Sequence, residues 1–152
     1  MRRAIAVHPR GLWPESELVD TATLVYLDRH RRRIRLVGDS GTAFLLDLGR
    51  TQHLADGDGL ELDGGGYVRV RAAPEPVLEI AAADWPSLLR IAWHLGNRHL
   101  PLQVTGERLR IREDHVIAEL VSGLGGRITR LEAAFDPEPG GYLASVPGHA
   151  HE

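Results

Sequence analysis

Two prolines one residue apart, in Ala72-Ala-Pro-Glu-Pro76, set the strongest limit on how this chain can fold. Each removes a backbone N–H and biases the residue before it to extended geometry, so neither a helix nor a sheet ladder passes easily through the segment. A boundary is expected there, dividing the 152 residues into a part at 1–73, a second at 74–136 and a tail at 137–152.

The two parts carry different patterns. Before the prolines, Ala4 to Val7, Thr23 to Leu27, Arg33 to Val37, Thr42 to Leu48 and Tyr67 to Arg71 are short segments rich in β-branched or aromatic residues, bounded by turn signals. Gly38-Asp-Ser-Gly41 reads as a hairpin connection between the third and fourth of these strands. Beyond the prolines the elements alternate. Val77 to Ala82 reads as a strand, and Asp84 can cap a helix with Pro86 in its first turn. Leu88, Leu89, Ala92, Trp93 and Leu95 then recur at helical spacing until Gly96, which is expected to stop the helix. Leu100 to Thr105 and Leu109 to Arg112 read as strands around a Gly106 turn. Asp114 can cap a second helix with Val116, Ile117, Leu120, Val121 and Leu124 on one stripe, ended by Gly125-Gly126, before a last strand at Ile128 to Phe135. The expected class is α+β: an N-terminal all-β domain followed by a ferredoxin-like βαββαβ domain. From Asp136 onward no periodic apolar face is available to fix the chain, so a flexible tail is expected. Each half has roughly 75 residues, where a single core is marginal and association of two chains helps.

Composition narrows the chemistry. The formal charge is −3, from 18 basic and 21 acidic residues, which leaves no excess of positive charge for nucleic acid. No stretch approaches the ~20 apolar residues that span a bilayer and the first residues lack a signal-peptide core, so a cytoplasmic protein is expected, with no membrane partner. There is no cysteine, which excludes disulfides, thiol nucleophiles and Cys-based zinc sites. Any metal must then be held by other side chains or water, and the eight histidines are the first candidates.

In His94-Leu-Gly-Asn-Arg-His99 the two histidines are five apart, about 140° around a continuous helix, and could not chelate one ion together. With the helix stopped at Gly96, His94 would pack locally and His99, past the turn, would be the freer ligand. Leu95 stands where a zinc protease motif needs its glutamate. Glu113-Asp114-His115 places two carboxylates and an imidazole at a helix start, where the simplest reading is a cap formed by Asp114. His149 and His151 alternate near the end of the chain and can offer both rings to one exposed ion. The run Arg29-His-Arg-Arg-Arg-Ile-Arg35 continues into a strand and reads as a solvated strand edge, whose basic side chains discourage edge-to-edge pairing. Asp56-Gly-Asp-Gly59 lacks the later ligands of a calcium-binding loop.

The ten residues His94-Leu-Gly-Asn-Arg-His-Leu-Pro-Leu-Gln103 closely resemble the signature of the UreE family of urease accessory proteins. Asp114-His115 and the Leu120 to Gly125 segment resemble its next element. Leu54-Ala-Asp-Gly-Asp58, Val68 to Ala73 and Glu75-Pro-Val-Leu-Glu79 look like the first domain and its crossing into the second. The resemblance is weakest before Thr42 and in the tail. It implies a nickel metallochaperone rather than an enzyme, with a β-domain that contacts protein partners and a ferredoxin-like domain that binds metal and dimerises. The implied partners are a second copy of the chain, the urease accessory GTPase and the urease apoprotein complex. His99 matches the interface metal ligand, which a two-fold axis would pair with a second copy. His115 matches a peripheral metal-binding histidine, and the tail histidines His149 and His151 or water would complete the shell. Glu113 stands where many members have histidine, so Glu113 and Asp114 are at most auxiliary ligands. Nickel(II) would be cargo, and zinc(II) and copper(II) would compete for imidazole.

Two other classes compete with this reading. A metal-dependent hydrolase needs several fixed ligands, an open coordination position and a placed base, and the sequence does not assemble that set. A protein-assembly scaffold or peptide-binding module with incidental histidines would bind its partner independently of metal and of His99.

Overall fold

The structure is a computed structural model and describes residues 1–140. The chain divides into two compact units that meet between Ala73 and Pro74.

The first unit is built from six strands: β1 (Arg2–His8), β2 (Leu18–Leu24), β3 (His30–Val37), β4 (Ala43–His53), β5 (Gly59–Leu62) and β6 (Tyr67–Ala72). They form one mixed sheet in the order β2-β6-β5-β1-β4-β3, with β1 parallel to β4 and β2 parallel to β6. Inward positions at alternate residues, including Phe44, Leu46 and Leu48 of β4 and Val68 and Val70 of β6, meet Ala4, Ala22, Leu60 and Leu62 in one dry core.

The β3–β4 turn is tied to β2, the strand at the opposite edge of the sheet. The β3–β4 hairpin turns at Gly38 to Thr42, and the Asp39 N–H donates to the Thr21 carbonyl of β2. The buried Asp20 carboxylate accepts from the N–H groups of Thr21, Ser40 and Thr42. Gly38 is required here, since a Cβ would lie 2.2 Å from an Asp20 carboxylate oxygen. Burial works to raise the Asp20 carboxyl, but the donated hydrogen bonds outweigh it and hold it below its ordinary value of 3.8. The folded state therefore releases this proton more readily than the unfolded chain. Its stabilisation is complete above the ordinary value and is lost as pH falls through the lower folded value. Asp20→Ala is expected to cost about 2–4 kcal/mol, because three donors lose their acceptor. Asp20→Asn is expected to lose less stability than the parent chain as pH falls below the ordinary carboxylate value, with urea titrations of both proteins as the measurement. An equal acid loss in both proteins would remove Asp20 from that transition.

One expected strand is displaced. Thr23 to Leu27 does not form a continuous strand: β2 ends at Leu24, and Tyr26–Arg29 is a 3₁₀ turn. The cause is Arg29, which is fully buried and donates to the carbonyls of Leu24 and Leu54. Propensity could not reveal a buried guanidinium paired with backbone.

The second unit has strands β7 (Pro74–Ala81), β8 (Gln103–Thr105), β9 (Arg108–Arg112) and β10 (Arg127–Ala134), with helices α1 (Trp85–Asn97) and α2 (His115–Gly123). The sheet order is β10-β7-β9-β8, antiparallel throughout. Each crossover helix links two strands that are consecutive in sequence but not adjacent in the sheet, which is the ferredoxin-like arrangement. β7 starts at Pro74 rather than Val77, because both prolines lie at the beginning of the strand and pair there with Ala134 and Glu132 of β10. Leu100 to Leu102 is not strand, and β8 is confined to Gln103–Thr105 after Pro101. The segment that leads into the expected tail is hydrogen-bonded to the second unit. Asp136 donates its N–H to the Gln103 side chain and Glu138 donates to the Leu102 carbonyl, bonds that need no apolar stripe.

Leu88, Ile91 and Leu95 of α1 and Ile117, Ala118 and Val121 of α2 pack on Leu78, Ile80, Leu109 and Ile111. Leu89 and Trp93, at helical spacing with the buried set in sequence, instead face outward, as does Val116 of α2. No helix among the described residues is long and apolar enough to cross a membrane.

Candidate functional site

The two helices of the second unit end in the same hydrogen-bonding motif but with different residues at its key position. At the end of α2, Gly125 donates to the Ser122 carbonyl and Gly126 to the Val121 carbonyl, closing a Schellman motif. Its C′ residue, Gly125, has φ +89°, a conformation glycine adopts without steric cost. At the end of α1, His99 donates to the Gly96 carbonyl and Leu100 to the Leu95 carbonyl in the same pattern. The C′ residue there is His99, with φ +59°, and it is the only non-glycine residue with positive φ among those described. Leu100, at C″, packs against the core that holds Leu95, which supplies the apolar contact of the motif.

This corrects the expected helix stop. Gly96 lies inside α1, which runs one residue further to Asn97 with Arg98 as C-cap. His99 itself takes the left-handed position that a glycine would normally fill. The conformation costs about 1 kcal/mol for a residue with a Cβ, a strain held by the two backbone bonds and the packing of Leu100. Its side chain is exposed. His94 is half-buried, edge-on to the Trp93 ring at 5.0 Å between centroids.

The residues of α2 are placed as follows. Asp114 is the N-cap and accepts from the Ile117 N–H at 3.0 Å. Glu113 accepts from the Arg130 guanidinium at 3.2 Å. The His115 side chain is 82% exposed, with its Nε2 3.3 Å from a Glu119 carboxylate oxygen one turn on. A small cavity of about 100 Å³ is lined by Leu100, Pro101, Arg112, Glu113, Asp114 and Ile117. The turn that carries His99 and the start of α2 thus share one end of the unit. Even so, no group of three or more His, Asp or Glu side chains among the described residues is arranged to hold an ion. His149 and His151 lie outside the described residues.

A feature absent from the sequence reading stands on α1. Trp85, Leu89 and Trp93, four residues apart, are 57%, 60% and 64% exposed. At 100° per residue they form one stripe, with Gly96 on the same side, well away from the buried Leu88, Ile91 and Leu95. No other part of the chain among the described residues lies within 4 Å of where a Gly96 Cβ would stand. Separating Ile91 from Leu89 and Trp93 on a helical wheel is the signal that would have found this second face.

Comparison with known proteins covers both units. Residues 3–73 match the family model described as UreE urease accessory protein, N-terminal domain, and residues 75–152 match that of the C-terminal domain. A urease accessory protein UreE of Rhodopseudomonas palustris (strain HaA2) is 52% identical over 151 residues, covering 99% of this chain and 70% of the relative. That of Rhodobacter capsulatus is 42% identical over 152 residues, covering 99% of this chain and 94% of the relative. With both domains matched and 99% of the chain aligned with such relatives, the chain belongs to the UreE family of urease accessory proteins, which are assembly factors and not enzymes.

Proposed function

We propose that this protein is a cytoplasmic nickel carrier for urease assembly, binding Ni(II) as cargo on His99 at a site shared by two copies of the chain. The observation that carries this reading is the placement of His99. It is an exposed imidazole held in a strained, glycine-type turn at the end of the α1 stripe. Strain of this kind persists where the side chain at that point has a use.

One imidazole cannot hold nickel, and a two-fold axis through the end of α1 would supply its symmetry mate. Two features of α1 support a second copy there. Trp85, Leu89 and Trp93 leave a contiguous apolar stripe in water. Gly96 costs helix stability of roughly 1 kcal/mol relative to alanine, with no neighbour among the described residues to require it. A close-packed second backbone would.

Water and the tail histidines His149 and His151 would complete the coordination shell, with His115 a weaker, peripheral site. Asp114 and Glu113 are less available, since one caps α2 and the other pairs with Arg130. An incomplete shell suits an ion that must be released to the next partner, here the urease accessory GTPase and the urease apoprotein complex. The first unit would meet such protein partners. Zinc(II) and copper(II) would compete, because imidazole binds all three.

Light scattering combined with nickel calorimetry tests this reading. A dimer without metal, taking up one tightly bound nickel per two chains, is the expected result. A monomer in both apo and nickel-loaded samples would overturn it. Removing residues 148–152 should leave the dimer intact and weaken one component of nickel binding; unchanged stoichiometry and affinity would take His149 and His151 out of the site.

A further inference from the structure

We propose that the outer edge of β3 is a docking strand for an extended acidic segment of a partner protein. This rests on the reading of the first unit as the part that meets partners, and it names the surface and the chemistry. β3 is the last strand of its sheet, and among the described residues no strand pairs with its outer edge. Its ladder with β4 is interrupted between Arg31 and Arg33 and then runs in regular register from Arg33 to Val37. Five residues of regular strand are therefore open to a further strand.

The charge along this edge is one-sided. Arg31, Arg32, Arg33 and Arg35 are all exposed. Asp28 lies 3.4 Å from Arg31, and Asp47 is shared between Arg33 at 3.1 Å and Arg3 at 3.6 Å. Arg32 and Arg35 have no ion pair among the described residues. On a chain of net charge −3 this is a concentrated positive strip. Leu36 is buried and Ile34 is partly buried against the core, so Arg33 and Arg35 are set on the outer face by alternation.

A basic edge is usually read as protection against pairing, and against a second copy of this chain it is. Two β3 edges side by side would set arginine against arginine, which is destabilising. The same arrangement has the opposite sign for a strand carrying glutamate or aspartate at alternate positions. Its carboxylates would face Arg33 and Arg35, while its backbone took up the free N–H and C=O groups of β3. The edge thus rejects itself and accepts an acidic strand.

The test is fluorescence polarisation of the full chain with a labelled heptapeptide of alternating glutamate and valine at low ionic strength. Three probes accompany it: the same peptide N-methylated at alternate amides, a lysine–valine peptide, and a short single-stranded oligothymidylate. Saturable binding of the glutamate peptide is expected. It should weaken at least about tenfold on N-methylation or in an Arg32→Glu/Arg35→Glu chain of unchanged circular dichroism. The lysine peptide should not bind. Equal binding of the methylated peptide would reduce the edge to a charged patch and overturn the proposal. So would tighter binding of the oligonucleotide, indifference to the arginine substitutions, or no binding of the glutamate peptide. Nickel stoichiometry measured on the same preparations should be unchanged by the substitutions, which separates a failure here from a failure of the carrier reading.

Discussion

A His99→Ala chain and a His99→Gly chain are expected to lose the tightest nickel site equally and to differ in stability. Both remove the imidazole. At a site shared across a two-fold axis each substitution deletes two ligands at once, so the loss should exceed the ~10–100-fold that follows removal of a mere supporting residue. The proteins part at the backbone. His99 has φ +59°, and alanine keeps the Cβ that makes this conformation costly, whereas glycine does not. Glycine adds some freedom to the unfolded chain, so the net gain of His99→Gly over His99→Ala should be about 0.5–1 kcal/mol. Urea midpoints of the two apo proteins measure it, with calorimetry for nickel. Tight stoichiometric nickel on either folded variant would reject His99 as the ligand, and a glycine variant less stable than the alanine one would reject the left-handed turn. Nickel release should increase as pH falls, because protons compete for the same imidazole lone pair.

The second large effect concerns the stripe on α1. Leu89→Glu is expected to convert the proposed dimer to monomer while leaving the second unit folded, because Leu89 makes no contribution to the core formed by Leu88, Ile91 and Leu95. Burying a leucine contributes about 1.5–3 kcal/mol, and at a two-fold interface the substitution counts twice. The dissociation constant should rise by at least roughly 10²-fold, before the cost of burying two carboxylates is added. Sedimentation of the variant, with circular dichroism as a check on folding, gives the answer. The shared nickel site should disappear with the dimer although His99 is intact. A Leu89→Glu dimer with normal nickel uptake would place the interface elsewhere.

Parts of this protein could be read directly from the residues. The caps Asp84 and Asp114 donate nothing and accept from Ser87 and Ile117 as their spacing implies, because a cap is a local interaction closed within one turn. The hairpin at Gly38 to Gly41 and the strand–helix order of the second unit are local for the same reason. The ten residues from His94 to Gln103 carry the resemblance to the UreE family in their side chains alone. In the first unit, strands paired across long separations were legible as segments but not as a sheet order. Nothing in β1 itself says that it lies between β4 and β5.

Tertiary structure decided the features on which the site depends. Gly96 and His99 exchanged the roles that propensity assigns them: the helix runs through the glycine and turns at the histidine. The choice is made by the Leu95 carbonyl, the Leu100 N–H and the core that receives the Leu100 side chain, groups beyond the reach of a single-residue preference. The division of α1 into a buried and an exposed apolar face depends in the same way on the direction from which the sheet approaches. The sequence by itself determined the family, the residue types available to a metal and the local punctuation, since these are carried by side-chain chemistry and short-range hydrogen bonds. Only the folded chain decided which imidazole stands in a strained turn and which leucine is left in water, because both are set by packing between residues distant in sequence.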